Sequence, residues 1–430
     1  MRQIKKIKLN NIEDFKNQLL LWAQTYDEVA WLDSNQYKQT YSNFDAILAV
    51  DAHSCVKVSN NGSFNSLESY RKLTNDWIFG YFSYDLKNDL ENLKSQNYDL
   101  LDFPDLYFFQ PKKLFFIKNN IVTIKYLNQF SKLIDCDLQK IQNTPKFNKS
   151  KKPSQQLKIN ARISKINYLN QIKKLKNHIQ QGDIYEANFC QEFFTKGVIS
   201  PLEIFKKLQT LSTPPFSVFF KTKPHFVLSA SPERYMKKEG DLLISQPIKG
   251  TAKRSSNKVE DSKLKKDLQS DPKEISENVM IVDLVRNDLS RVATKGSVNV
   301  EELHKIHTFR QVHHLISTIR AKIRPEISPL DVIRSSFPMG SMTGAPKISA
   351  MNIIESLEFT KRGLYSGAVG YFTPESDFDF NVVIRTILYN SEKSYISYSV
   401  GSAITSKSIP SKEYEECLIK ASAMRKVLEN

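Results

Sequence analysis

Apolar residues recur along this chain in two rhythms, one suited to strands and one to helices. Residues 1–142 carry short runs rich in aromatic and β-branched side chains at Ala46–Val50 and Trp77–Tyr84, and a partly alternating run at Leu114–Tyr126. Such runs predict strands, in which successive side chains point to opposite faces. A helical rhythm follows at Ile163–Gln181, where Ile, Leu and Tyr recur at helical spacing up to Gly182, a residue suited to closing a helix. Strands are predicted next at Phe189–Thr195, Phe216–Lys221, His225–Ala230 and Leu242–Gln246. The polar stretch Lys253–Asp271 reads as solvated and mobile. Asp271 as N-cap and Pro272 at the first helical position then open a long helix. Further helices are predicted at Phe309–Ile319, Ser328–Ser335, Pro346–Leu357 and Ser411–Glu429, and strands at Gly367–Thr373, Phe380–Leu388 and Lys393–Ile404. No internal repeat is visible, and the mixed order of elements predicts an α+β protein rather than a doubly wound parallel sheet.

Composition divides this pattern. Residues 143–158, NTPKFNKSKKPSQQLK, are polar, Lys-rich and broken by Pro145 and Pro153. They read as an exposed linker between an N-terminal region, 1–142, and a larger region, 159–430. The net charge of +16 is spread along the chain, with a modest concentration at Lys146–Lys152. There is no Arg-rich block and no zinc-finger or RNA-binding pattern, so no nucleic-acid partner is expected; the positive field suits a small dianion instead. The four cysteines are widely spaced and form no CxxC pair, which predicts a reduced cytoplasmic protein without disulfides or a zinc site. The N-terminus MRQIKKIKLN lacks the apolar core of a signal peptide, and no apolar run approaches the ~18 residues of a membrane span.

Several stretches could carry chemistry, each with a plainer alternative. In DPKEISENVMIVDLVRND, from Asp271 to Asp288, Glu274 and Glu277 share a helix face, which could hold a metal or simply complement the helix dipole. On the last helix, Glu413, Glu416 and Lys420 share a face, as metal-facing groups or as an exposed Glu–Lys pair. Mg²⁺ is usually held by one or two carboxylates with water and substrate oxygens, and Glu277 with Glu416 would fit. FPMGSMTGAPK, containing Ser341, places a small-residue turn before a helix, which suits an anion or a tight turn. In Gln246-Pro-Ile-Lys-Gly-Thr251, Lys249 could lie in a pocket with a lowered pKa and act as a nucleophile, or be a surface lysine. Glu233 in SASPER could be a buried general acid or the ion-pair partner of Arg234. His314 reads as a core histidine on a helix. Arg385, in a predicted strand, needs a partner such as a carboxylate, and Tyr365 and the turn Gly401-Ser402-Ala403 could complete a carboxylate-binding wall.

Taken in this order, GDIYEANF, SASPER, PIKGTAKR, DPKEISENVMIVDLVRND, FPMGSMTGAPK, RGLYSGAVGYF, the Arg385 strand and GSAITSKSIPSKEYEE resemble the chorismate-utilising family. That family includes anthranilate synthase component I, aminodeoxychorismate synthase component I, and the isochorismate and salicylate synthases. The resemblance spans most of residues 160–430 and implies the family's large layered β-sheets flanked by helices. It implies chorismate as substrate and Mg²⁺ as cofactor, with Glu277 and Glu416 as ligands and Glu274 beside the metal. It further implies that Gly250, Thr251, Ser341, Tyr365, Arg385, Gly401, Ser402, Ala403 and Lys420 face substrate and that His314 is an active-site histidine. Lysine at position 249, where anthranilate synthases have a small residue, points to the aminodeoxychorismate branch, with Lys249 as nucleophile and Glu233 as general acid. No stretch resembles a glutamine amidotransferase, so ammonia is expected from a separate subunit. Asn278 departs from a frequent family histidine, Gly401-Ser-Ala is less Gly-rich than the usual turn, and Pro215-Phe-Ser217 departs from the tryptophan-inhibition motif of anthranilate synthases.

Overall fold

The strand Glu28–Asp33 shows how the architecture arises from the chain. Its Val29 and Trp31 enter one buried cluster, while Ala30 enters another on the opposite face. The same alternation divides Leu48 and Val50 from Ile47 and Ala49, and Phe219 from Val218 and Phe220. A sheet with apolar cores on both sides needs strands that are apolar at nearly every position, which is why these segments read as short continuous runs. Burying a side chain such as Trp31 stabilises the fold by very roughly 2–3 kcal/mol.

The computed structural model describes residues 1–37, 40–59, 62–145, 157–309 and 312–429. Among these, twenty strands join into one large sheet system whose ladders are all antiparallel, with eleven α-helices around it. The architecture is α+β. Residues 146–156, the middle of the expected linker and most of its Lys-rich stretch, lie outside the described residues. The N-terminal part shares the sheet with the rest: Glu28–Asp33 pairs with Phe216–Thr222, and Ile78–Phe82 pairs with Ala368–Phe372. All four cysteines are free. No helix among the described residues is long and apolar enough to cross a membrane.

Four local arrangements position the candidate site. The strand Glu186–Lys196 pairs with Tyr395–Ile404, placing Cys190 opposite Gly401 and Asn188 opposite Ala403. Val312–Lys322 is the hub of a second group, receiving Leu242–Gln246, Ile248–Lys253 and Asn299–Thr308. Helix Pro272–Ser290 packs over Ile248–Lys253 and Val312–Lys322, and helix Pro410–Glu429 over Tyr395–Ile404. The first of these helices begins as the sequence predicts: the Asp271 carboxylate accepts from the backbone N–H of Lys273 (2.8 Å) and Glu274 (3.2 Å), a cap of about 1 kcal/mol. Helix Lys165–Gln181 ends on Gly182 at φ 87°, in the left-handed region.

Four predicted elements differ; Leu114–Tyr126 covers the end of one strand, Leu106–Lys118, and most of the next, Ile121–Leu127, which pair as a hairpin. Phe309–Ile319 is not a helix: Val312–Lys322 is a strand. It is rich in β-branched residues and almost wholly buried, so its apolar positions show no strand-like alternation and mimic helical spacing. Lys253–Asp271 is solvated but contains an ordered helix, Lys258–Ser270, capped by the Asn257 side chain on the N–H of Val259 and Glu260. Phe380–Leu388 is two strands, Phe378–Val382 and Thr386–Asn390, broken where Arg385 takes φ 53°.

Candidate active site

Lys249 lies in the Ile248–Lys253 strand, between the hub strand and helix Pro272–Ser290, and is buried. Its ammonium donates to Glu186 Oε1 at 2.8 Å. Burial alone would lower the lysine's pKa, but Glu186, Glu277 and Glu233 outweigh it and hold the ammonium above its ordinary range. The expectation of a lowered Lys249 pKa is therefore corrected: the neighbours are carboxylates rather than cations. Glu186, in the GDIYEANF stretch, is the residue that sequence reasoning passed over. Its signal was a carboxylate at the start of an otherwise apolar-rich strand.

Glu233 follows the His225–Ser231 strand and is fully enclosed; its Oε1 accepts from Ser341 Oγ at 2.7 Å. Burial pushes its pKa up to about 7, with Ser341 and Lys249 opposing. Arg234 turns away and pairs with Asp379 at 2.9 Å, so a Glu233–Arg234 ion pair is excluded.

His314 stands on the hub strand opposite Thr251. Its Nδ1 lies 2.9 Å from Thr251 Oγ1 and 3.3 Å from the Gly250 carbonyl. Burial, then the Arg385 charge, lowers its pKa to about 3, so the ring is neutral. Gly250, at φ 88°, brings the strand against helix Pro272–Ser290: a Cβ there would lie 3.1 Å from Glu274 Oε2.

The acidic groups gather around Lys273. Its ammonium lies 3.6 Å from Glu277 Oε1 and donates to the buried Glu413 at 3.2 Å, and Glu416 is close enough to raise its pKa. Glu277 is buried and its Oε1 has no hydrogen-bond partner. Burial raises Glu277 to about 7, opposed by Lys249 and Lys273. Burial also raises Glu274, helped by the nearby Glu416 charge. Glu416 is the opposite case: burial would raise it, but Lys420 at 2.6 Å and the charges of Lys273 and Lys249 hold it below the ordinary carboxylate range. Among the described residues no three His, Cys, Asp or Glu side chains form a cage for a metal ion. The buried Glu277 oxygen, without a hydrogen bond and 3.6 Å from the Lys273 ammonium that the Glu416 charge also reaches, nevertheless fits Mg²⁺, a cation that takes few protein ligands and keeps water or substrate oxygens.

Arg385, Lys420 and His314 line a cleft with Phe309, Val312 and Ala423. Among the described residues, Arg385 has no carboxylate within ion-pair distance; its Nη1 reaches only the Lys420 carbonyl, at 3.5 Å. Its positive φ costs roughly 1–3 kcal/mol, the kind of strain that functional sites retain. Lys420 donates to the Gly401 carbonyl at 2.9 Å. A Cβ on Gly401 would sit 2.5 Å from Cys190 Sγ, so only glycine fits there. Tyr365 is buried, its hydroxyl 3.8 Å from the same sulfur. The Ser402 hydroxyl lies 3.5 Å from that of Tyr168, and Gly401, Ser402 and Ala403 pair with Cys190, Phe189 and Asn188.

A family model described as chorismate binding enzyme matches residues 21–426. The chain belongs to this family. It is a chorismate-utilising enzyme. Relatives divide by name: an anthranilate synthase component I-like protein of Synechocystis is 34% identical over 361 residues, covering 82% of this chain and 72% of the relative. Aminodeoxychorismate synthase component 1 of Bacillus subtilis is 32% identical over 360 residues, covering 81% and 76%. In three dimensions the chain resembles anthranilate synthase component I from Streptococcus pneumoniae with a TM-score of 0.80, 24% identity, and 91% and 94% coverage, a likeness of fold. Family membership accounts for the chorismate-directed motifs; the near-equal identities leave the product to the chemistry of the site.

Proposed function

We propose that the chain is an aminodeoxychorismate synthase component I, converting chorismate and ammonia to 4-amino-4-deoxychorismate, a precursor of p-aminobenzoate and folate. One observation carries this reading: a buried lysine, Lys249, stands among carboxylates beside the enclosed Glu233. Anthranilate formation, with ammonia adding directly at C2, has no use for a nucleophilic amine there.

In this reading Arg385, Tyr365 and the backbone at Gly401–Ala403 bind substrate carboxylates, while Lys420 holds the Gly401 carbonyl in place. Glu277 and Glu416 would hold Mg²⁺, which would neutralise the ring carboxylate of chorismate and polarise the ring, with Glu274 alongside. Lys249 adds at C2 as Glu233 protonates the departing C4 hydroxyl. Ammonia then enters at C4, and Lys249 is expelled from C2 as the double bonds shift back. Two easier displacements replace one difficult one. The ammonia comes from a separate glutamine amidotransferase subunit, or from ammonium in vitro.

The deciding experiment incubates the protein with chorismate, Mg²⁺ and ammonium and identifies the product by mass and fluorescence. The expected product is aminated at C4. Anthranilate would establish the second reading, favoured by relatives bearing that name. The general acid gives a further prediction. Glu233 carries its proton below about pH 7 and loses it above, so kcat/KM should fall about tenfold per unit on the alkaline side of 7. Glu233→Gln should remove that limb and lower the rate roughly 10²–10⁴-fold. A wild-type alkaline limb that persists unchanged in the variant would assign it to another group.

A further inference from the structure

As an ammonium, Lys249 has no lone pair and cannot attack carbon. A chain that uses it as a nucleophile must also supply a base within hydrogen-bond reach. Among the described residues, the acceptor at that distance is Glu186 Oε1, 2.8 Å from Nζ. Glu233 is engaged with Ser341 and is needed in its protonated form, so it cannot serve both lysine and hydroxyl. Glu186 is 2% exposed, and its second oxygen, Oε2, is buried without a hydrogen-bond partner. Taking up a proton there breaks no existing bond to another donor. A carboxylate saturated with donors would be a much weaker base.

The backbone holds this residue in place. Glu186 pairs with Ala345, in the two-residue strand Gly344–Ala345 that follows FPMGSMT, and Gly344 approaches so closely that a Cβ on it would lie 2.1 Å from the Glu186 carbonyl. Both the base and Ser341, which orients the acid, are therefore set by one segment, residues 340–345.

We propose that Glu186 is the proton acceptor that converts Lys249 from ammonium to free amine, making it a further catalytic residue of the C4 amination; this rests on the function proposed above. The proton passes from Nζ to the Glu186 carboxylate. The freed electron pair forms the N–C2 bond, the ring double bonds shift, and the C4–O bond breaks, its oxygen leaving as water with the proton from Glu233. Nζ is left as a secondary ammonium. When ammonia bonds to C4, the electron pairs shift back and Nζ leaves C2 as a neutral amine. Glu186 returns its proton to that amine, and Glu233 recovers one from the new C4 ammonium. The sum is chorismate plus ammonia giving aminated product plus water.

The test uses the full chain with chorismate and Mg²⁺ but no ammonium, and follows by intact mass and peptide mapping the adduct on Lys249, of mass chorismate less water. Glu186→Gln keeps the size of the side chain and an acceptor for Lys249 but is not a base. Its adduct formation should slow about 10²-fold, with chorismate affinity near that of wild type. Glu186→Asp keeps a carboxylate and should react faster than the Gln variant. An unchanged or faster Glu186→Gln reaction overturns the proposal, as does a loss of chorismate binding in parallel with rate, which would make Glu186 structural. Should the Gln variant not fold, the Asp variant decides: folded yet as inert as Lys249→Ala, it overturns the assignment. Wild type that forms no Lys249 adduct and makes anthranilate overturns the underlying reading instead, and this proposal with it.

Discussion

Replacing Lys249 with alanine should lower C4 amination roughly 10⁴-fold while chorismate still binds, because the proposed covalent route loses its nucleophile and the proposed carboxylate-binding residues around Arg385 are untouched. Product analysis at saturating chorismate and a separate binding titration check both halves. Unchanged C4 amination would exclude the covalent route. The same substitution carries a structural cost. Lys249 and Glu186 form a buried ion pair at 2.8 Å, and removing one partner strands the other charge, a loss of about 3–5 kcal/mol. Thermal unfolding should show that loss for Lys249→Ala and its partial recovery in Lys249→Ala combined with Glu186→Gln, although both proteins have lost most of their C4 amination. Stability and activity would then separate cleanly.

Glu277→Gln should have the second-largest effect. In the proposed metal site, a charge aimed at a divalent cation is worth several kcal/mol of transition-state stabilisation, so turnover should fall roughly 10³-fold at fixed Mg²⁺. Rate measured against Mg²⁺ concentration checks this, and an unaltered Mg²⁺ dependence would remove Glu277 from the metal site. In metal-free protein the effect on folding should run the other way. The Glu277 pKa rises to about 7 in the folded state, above its ordinary value. Its contribution to stability is fully present below the unfolded-state pKa and is lost as pH rises through 7. Glutamine never ionises, so the variant should melt at a higher temperature than wild type above pH 7, and the difference should shrink below that.

Much of the candidate site could be assembled from the sequence because its residues lie in short motifs whose order is itself informative. Glu274 and Glu277 could be placed on one helix from Asp271 and Pro272 alone, since capping is local chemistry. Other features depend on contacts across the sheet. His314 sits in a strand buried on both faces, and no periodicity separates a doubly buried strand from a helix. Arg385 interrupts what reads as one strand, since its positive φ is imposed by surrounding structure rather than by an arginine's own preference. The protonation of Lys249 could not be read either. A lysine's pKa depends on which charges surround it, and Glu186 is 63 residues away in sequence.

The pairing of Ile78–Phe82 with Ala368–Phe372 and of Glu28–Asp33 with Phe216–Thr222 has a consequence for how the protein is made. Partners so distant along the chain cannot meet until most of it has left the ribosome. Until Ala368–Phe372 emerges, one edge of Ile78–Phe82 would stay open, the form of a strand most exposed to self-association. Glu186 and Lys249 would be synthesised well before Arg385 and Glu416 arrive to face them. The protein should therefore refold slowly from denaturant, with the capacity to bind chorismate returning only in the final phase.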